Sequence, residues 1–197
     1  MYPAYGHKWL TLLSSHSSHP LSVGITTTLA SRLIPKHYFQ NNPETFAQAL
    51  RDGQVQLGES ASDQPIQILA DCPPPQLDTG DTSVNKVWYH SLWHTIYSAT
   101  WPTNTTAPVI REKMRALNAA ADELRKFAPD GGVYINEAYV FEQNHEQAFW
   151  GDNAARLHEI KSIYDPSNVF QGWQTVGWDS DDPIYSCYAA LDPSASN

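Results

Sequence analysis

The stretch 131–177 constrains the fold of this chain more than any other part of the sequence. Two glycines open it, and the β-branched and aromatic residues at 133–141 predict a strand. Because alternate side chains of a strand share a face, Tyr134 and Asn136 are expected on one side and Glu137 on the other. The strand is therefore expected to carry two polar side chains together to one surface.

A helix is predicted directly after this strand. Asp152 or Asn153 can accept hydrogen bonds from the free amides of a first helical turn, which is typical of an N-terminal cap. Apolar residues then recur at helical spacing, at Leu157, Ile160 and Tyr164. Asp165-Pro166 ends the helix, because proline disfavours the helical conformation in the residue before it.

Three motifs follow one another in this stretch. They read Tyr-x-Asn-Glu-Ala from Tyr134, Phe-Trp-Gly-x-Asn from Phe149 and Tyr-Asp-Pro-x-Asn-Val-Phe from Tyr164. This order resembles the C-terminal signature of berberine-bridge-enzyme-like FAD-linked oxidases, which belong to the vanillyl-alcohol-oxidase flavoprotein superfamily. One such motif alone carries little information, whereas several in order with compatible spacing are specific.

The remaining sequence predicts a mixture of strands and helices. Strands are predicted at 23–30, 55–57, 66–70 and 83–101. One helix is predicted to begin at Asn42-Pro43-Glu44, where a cap, a proline and an acidic residue occur together. The clearest helix is predicted at 108–127, where apolar residues three and four apart form one stripe. We expect this stripe to pack on a sheet, with a partner's groove as the alternative.

We therefore predict an α+β fold, in which helices cover one face of an antiparallel sheet and a strand-helix segment of the berberine-bridge type follows. The predicted divisions are an irregular segment at 1–20, a substrate-binding domain at 21–128, the berberine-bridge-like segment at 129–178 and an irregular tail at 179–197. The resemblance implies that the C-terminal strand and helix normally pack on an FAD domain. Surface that would meet such a domain is expected to be apolar and exposed.

The resemblance also implies a cofactor, a reaction and candidate residues. FAD would accept a hydride from a small alcohol, amine or secondary-metabolite intermediate, and molecular oxygen would reoxidise it. Tyr134 and Asn136 are the candidate cofactor-binding residues, since an amide both donates and accepts hydrogen bonds. Tyr134 and Glu137 are the candidate acid or base groups, and Trp88 and Tyr89 the candidate substrate-binding residues. Packing, backbone hydrogen bonding or an ion pair remain the alternative roles for these side chains.

Some positions depart from the family pattern. Lys86 and Tyr89 stand in an Asn-Lys-Val-Trp-Tyr sequence where Asn-Pro-x-Trp-Arg is usual in the family. Tyr139 stands where an acidic residue is frequent, and His145 where a tryptophan is common. These departures bear on the shape and polarity of any substrate pocket.

The sequence contains neither a Gly-Gly-His loop nor a Gly-x-Gly-x-x-Gly motif. The N-terminal FAD domain of the family has no counterpart in it, so we expect the C-terminal part of a longer oxidase. Two functions stay open. One is an FAD-linked oxidoreductase that needs an FAD domain in cis or in trans. The other is a truncated non-catalytic fragment or accessory protein that cannot bind FAD on its own. An unrelated α+β binding module, such as a dimeric barrel, would require the ordered motifs to be coincidental.

Charge and composition disfavour several other classes of function. The formal net charge of −9 repels phosphate backbones and disfavours nucleic-acid binding. No apolar run approaches the roughly 20 residues that span a bilayer, and the first residues lack the pattern of a secretory signal. His90 and His94 would lie roughly 13 Å apart on a strand, too far for one metal ion. Whether Cys72 and Cys187 form a disulfide stays open.

Overall fold

The computed structural model describes residues 24–58, 67–69 and 73–193. A three-stranded antiparallel sheet has the order β1-β3-β2, with β1 at Ile25–Pro35, β2 at Gln67–Leu69 and β3 at Ser91–Pro102. The longer helices are α2 at Pro43–Leu57, α4 at Ala107–Phe127 and α6 at Ala154–Tyr164. The shorter ones are α1 at Lys36–Asn41, α3 at Val87–His90, α5 at His145–Trp150 and α7 at Ser186–Ala189. Single 3-10 turns occur at Pro75–Leu77, Ile135–Glu137, Gly151–Asn153 and Pro183–Tyr185.

The main core lies between one face of the sheet and helices α2 and α4. Paired strand residues such as Ala30 and Tyr97 point to this face. The apolar stripe of α4 buries the side chains of Met114, Leu117, Ala121 and Leu124 against it. The stripe thus packs on the sheet as predicted, and the α+β fold with helices on one face of an antiparallel sheet is confirmed.

The C-terminal end of α4 is tied to the sheet by a buried arginine. The guanidinium of Arg32, on β1, donates to the carbonyl of Ala128 at 2.9 and 3.1 Å and to that of Pro129 at 3.0 Å. These carbonyls follow the last helical turn, where unpaired acceptors and the negative end of the helix dipole favour a cation. This contact fixes the start of the 131–177 stretch against β1.

The glycine pair that follows runs close beside β1. Leu33 donates its backbone N–H to the carbonyl of Gly132 at 2.8 Å. A Cβ atom on Gly131 would lie 2.4 Å from the carbonyl oxygen of Leu33, so a side chain does not fit there. The absence of side chains at these two positions allows the chain to approach the sheet this closely.

Two predicted strands in the first half of the chain are wrong. Residues 55–57 form the last turn of α2, because Leu50 and Leu57 continue its packing on the core. The predicted strand at 83–101 begins only at Ser91, after bends and the short helix α3. The hydroxyl of Ser91 donates to the carbonyl of Val87 at 2.8 Å, which stabilises this helical turn.

The predicted strand at 133–141 is also wrong. Its backbone is extended only in part and is interrupted by the 3-10 turn at Ile135–Glu137. Val133 donates its N–H to the carbonyl of Ala148 in α5, and so pairs with a helix rather than with a strand. Tyr139 is buried in the main core, where its hydroxyl donates to the carbonyl of Met114 at 3.2 Å.

The tail contains more structure than predicted. The segment after Gly177 includes the 3-10 turn at Pro183–Tyr185 and helix α7. Its aromatic side chains pack on the berberine-bridge-like segment, and the ring of Tyr188 stacks on that of Trp173 at 4.0 Å. The predictions for 1–20, for Cys72 and for the last four residues lie outside the described residues.

Within the described ranges, no helix is long and apolar enough to cross a membrane. The same ranges hold no group of three or more His, Cys, Asp or Glu side chains placed to hold a metal ion. Cys187 is exposed on α7.

Candidate functional site

Three rings form a compact cluster on the sheet face opposite the main core. Trp88 comes from α3, His94 from β3 and Tyr134 from the residue before the 3-10 turn. Their ring centroids lie 5.5, 5.7 and 6.2 Å apart, and the rings are inclined at 64 to 78° to one another. We call this group, together with Asn136, the ring cluster. It brings the middle of the chain and the 131–177 stretch to one place.

Tyr134 and Asn136 form the outer layer of the ring cluster. They are neighbours as predicted, although a turn and not a strand places them. The amide nitrogen of Asn136 donates to the hydroxyl of Tyr134 at 2.5 Å. Tyr134 is 37% exposed and Asn136 is exposed, so both can reach a bound molecule. The amide holds the phenol in one orientation and leaves the phenol proton free to be donated elsewhere.

Glu137 occupies a less polar environment than its neighbours. Its Oε2 atom is buried and has no hydrogen-bond partner among the described residues. Desolvation by burial raises the pKa of this carboxyl above its ordinary value. A carboxylate with a raised pKa binds a proton more readily near neutral pH, as a general base must.

His94 forms the buried floor of the ring cluster. It was not predicted from the sequence as a site residue. It is 2% exposed, and its Nε2 atom has no hydrogen-bond partner in the described structure. Burial lowers its pKa to about 4, so the imidazole is neutral at neutral pH. The alternation of side chains along β3 could have indicated this position, because it puts His94 on the face opposite Trp93 and Thr95.

The two candidate substrate-binding residues lie in different environments. Trp88 is half-buried in the ring cluster and contacts Tyr134. Tyr89, the next residue of the same helical turn, is buried, at 8% exposure. The structure brings Trp88, Tyr134 and Asn136 together, and it does not place Tyr89 among them. Both assignments to a substrate stay predictions.

Asn85 connects the segment that carries Trp88 to the berberine-bridge-like segment. Its side-chain amide donates to the carbonyls of Ala148 and Gln147 at 3.1 and 3.3 Å, and its side-chain oxygen accepts from the N–H of Val87 at 3.1 Å. Gly151, whose φ is +54°, leaves the room that this side chain fills. One buried amide therefore sets the position of Trp88 relative to α5.

Replacing Asn85 with Ala is expected to lower the free energy of unfolding by about 2 kcal/mol, because the hydrogen bonds of a buried amide are lost and the N–H of Val87 loses its acceptor. Thermal unfolding followed by circular dichroism measures the change. Asn104→Ala, on an exposed turn, is the matched control and is expected to unfold as the unaltered chain does. Equal stability of the two variants would contradict a connecting role for Asn85.

The last turn of α6 and the residues after it expose apolar side chains to solvent. The carboxylate of Asp165 accepts from the backbone N–H groups of Val169 and Phe170 at 2.8 and 2.9 Å, and from Lys161. These contacts lower the pKa of Asp165, with the hydrogen bond from Lys161 as the largest cause. Four large apolar residues are nevertheless 69 to 83% exposed: Ile163, Tyr164, Val169 and Phe170. We call them the apolar patch.

Comparison with known proteins shows what these features are similar to. Residues 133–177 match the family model described as berberine and berberine-like. The chain resembles the C-terminal portion of berberine-bridge-enzyme-like flavoproteins. It is 29% identical over 198 residues to the FAD-linked oxidoreductase cheF of Chaetomium globosum, covering 97% of this chain and 31% of that protein. It is 32% identical over 121 residues to the VAO-type flavoprotein oxidase VAO615 of Thermothelomyces thermophilus, covering 57% of this chain and 20% of that protein.

A solved structure shows the same similarity in the fold. The VAO-type flavoprotein MtVAO615 of Myceliophthora thermophila superposes with a TM-score of 0.64 at 25% identity, over 79% of this chain and 28% of that one. The chain thus spans less than a third of the length of the first relatives that it matches. The segment with the family's motifs is the one that carries Tyr134, Asn136 and Glu137.

Proposed function

We propose that this chain is the substrate-binding and C-terminal portion of an FAD-linked oxidoreductase that oxidises a small alcohol, amine or secondary-metabolite intermediate. The ring cluster carries the proposal, because it joins residues of the matched segment to the region around Trp88. Under this proposal residues 21–128 form the substrate-binding unit and residues 129–178 form the unit that faces the cofactor. The names of the relatives, which are FAD-linked oxidoreductases, support FAD as the cofactor.

The residues of the ring cluster fit a flavin ring chemically. The amide of Asn136 and the phenol of Tyr134 are exposed polar groups beside an aromatic wall, which suits a flat ring with a polar edge. Bound FAD would supply the acceptor for a hydride from the substrate. The described residues supply no glycine-rich phosphate cradle, so the pyrophosphate would have to bind to another part of a complete enzyme.

We assign the handling of the substrate proton to Glu137 or Tyr134. Glu137 has the raised pKa of a proton acceptor, and the phenol of Tyr134 is held in place by Asn136. Trp88 would limit the space for the substrate on one side. Neutral His94 lies beneath these residues and keeps the floor of the site uncharged.

The apolar patch supports an FAD domain as the partner of this chain, in cis or in trans. Large apolar side chains exposed on a hydrogen-bonded segment are typical of a surface that another protein surface covers. The patch spans the last turn of α6 and the residues that follow it. The relatives are more than three times as long as the part that this chain covers. The same observation favours the second candidate function, a fragment that cannot hold FAD unaided.

A flavin titration tests the proposal. The chain is mixed with FAD, and visible absorbance and the quenching of flavin fluorescence are recorded. If the chain forms part of the cofactor site by itself, a saturable two-band flavin spectrum appears and Asn136→Ala weakens binding by about tenfold, the loss of roughly one hydrogen bond to a bound group. Asn104→Ala is the control and is expected to bind as the unaltered chain does. Unchanged binding by Asn136→Ala would contradict the assigned role.

Absence of flavin binding would favour the second candidate function, a fragment that cannot hold FAD unaided. The FAD domain of a relative would then be supplied as a separate protein, and retention of the chain on it would be compared with that of Phe170→Asp. Loss of retention in this variant is the expected result, because a charge would be buried in the apolar patch. Equal retention of both proteins would contradict docking through the patch.

A further inference from the structure

A cavity of about 540 Å³ lies between the end of the 131–177 stretch and the tail. Its walls include four aromatic side chains and two adjacent carboxylates: Phe141, Trp173, Trp178, Tyr185, Asp181 and Asp182. We call it the tail cavity. It shares no lining residue with the ring cluster, which holds the proposed flavin contacts. Its volume falls within the range of small-molecule sites.

The aromatic walls of the tail cavity are held in place by contacts with one another. The ring of Trp178 lies 4.8 Å from that of Trp173 and 5.2 Å from that of His145. Tyr185 contacts both tryptophans, at 5.8 and 6.4 Å. The indole N–H of Trp173 donates to the carbonyl of Val140, which ties this wall to the berberine-bridge-like segment. The aromatic side chains of this wall are therefore packed against one another and against the berberine-bridge-like segment.

The charge of the tail cavity is negative and is not neutralised from within. The carboxylate of Asp182 is fixed by two neutral donors, the N–H of Ile184 and the amide of Gln171, each at 3.0 Å. Glu142 and Asp192 also line the cavity, and Arg125 forms an ion pair with Glu142. The lining contains no Lys or Arg, and among the described residues none forms an ion pair with Asp181 or Asp182.

We propose that the tail cavity binds a small organic cation of the alkylammonium class. Faces of tryptophan and tyrosine attract cations through the quadrupole of the ring, and this attraction grows when the cation loses its water. A fixed carboxylate without a cationic partner adds to it. Anions are repelled by the same groups, and a neutral apolar molecule gains only from the burial of its surface against the rings. The ammonium group lies among the aromatic rings, and the carboxylates of Asp181 and Asp182 lie at its edge.

Two probes of equal shape test the proposal. Choline carries a quaternary ammonium group, and 3,3-dimethyl-1-butanol is its neutral carbon analogue. Tryptophan fluorescence and calorimetric titration of the whole chain are measured with each, at matched ionic strength. Saturable binding of choline about tenfold tighter than binding of the neutral analogue is expected, which corresponds to a cation–π contribution of about 1.4 kcal/mol. Equal affinity for the two probes, or no saturable binding of choline, would overturn the proposal.

Charge variants locate the binding site. Asp181→Asn removes one lining charge at an exposed position and is expected to weaken choline binding about threefold to tenfold, with no change in thermal unfolding. Asp179→Asn is the matched control, because Asp179 is exposed, does not line the cavity, and as asparagine still accepts from the N–H of Asp181. Equal weakening by both variants would mean that the net charge attracts choline and that the cavity does not bind it.

Discussion

Gly131→Ala is expected to lower the free energy of unfolding by about 3 kcal/mol or more, the range of severe overpacking. The added Cβ would lie 2.4 Å from the carbonyl oxygen of Leu33 and 3.0 Å from that of Ala128. Both are backbone atoms, which move only together with β1 or the end of α4. The guanidinium of Arg32, 2.9 Å from the same point, would also be pushed off the carbonyls that it binds.

The midpoint of thermal unfolding measures this effect. For a domain of this size, about 3 kcal/mol corresponds to a fall of roughly 6 to 12 °C. Gly172→Ala is the matched control, because its added Cβ would meet only the side chain of Thr175, at 3.2 Å. We expect that variant to lose less than about 1 kcal/mol. If the Gly131→Ala protein has the same midpoint of thermal unfolding as the control, the chain at Gly131 does not run so close to β1.

Helix α4 could be predicted from sequence because its determinants are local. Its apolar side chains recur at helical spacing, and a proline stands at its start, so a window of the sequence contains the whole signal. The sequence signal for the end of α6 was equally local, because Asp165-Pro166 stops the helix at Tyr164. The helix-covered antiparallel sheet followed from such elements, and the family's motifs supported it.

The conformation of 133–141 could not be predicted because its partners are distant in sequence. The alternation of residues fits a strand, but the described backbone hydrogen bond to the edge strand β1 comes just before the segment, between Leu33 and Gly132. Val133 pairs instead with the carbonyl of Ala148, and Tyr139 reaches into the main core toward Met114. A local pattern reports the preference of a segment, and tertiary contacts outweigh that preference here.

The candidate site was predicted in part. Tyr134 and Asn136 meet because residues two apart stay close in a 3-10 turn as well as on a strand. His94 was considered only as a metal ligand, since sequence spacing does not show which face of β3 is covered. Its place beside Trp88 depends on α3, which Asn85 positions through contacts more than 60 residues away in the sequence.

Glu142→Ala is expected to lower the free energy of unfolding by about 3 kcal/mol, because it leaves the buried guanidinium of Arg125 without its main partner. The side chain of Glu142 is 1% exposed and that of Arg125 is 17% exposed. Two hydrogen bonds join them, at 3.2 Å from Nε and 2.5 Å from Nη2. Asp122 and Asn118 still bind the remaining nitrogen of Arg125, which keeps the expected loss near the lower end of the 3 to 5 kcal/mol typical of such pairs.

This ion pair matters for the site because it joins α4 to the segment with the family's motifs. The backbone carbonyl of Glu142 also accepts from the side chain of Gln174 at 3.0 Å, so the end of that segment is connected to α4 through Glu142. Glu123→Ala removes an ion pair with Lys126 on the surface of the same helix and is the matched control, expected to cost less than about 1 kcal/mol. Urea unfolding of the two variants measures the difference. If Glu142→Ala costs no more than the control, the segment is held to α4 by its apolar contacts, and the position of Tyr134 and Asn136 does not depend on the ion pair.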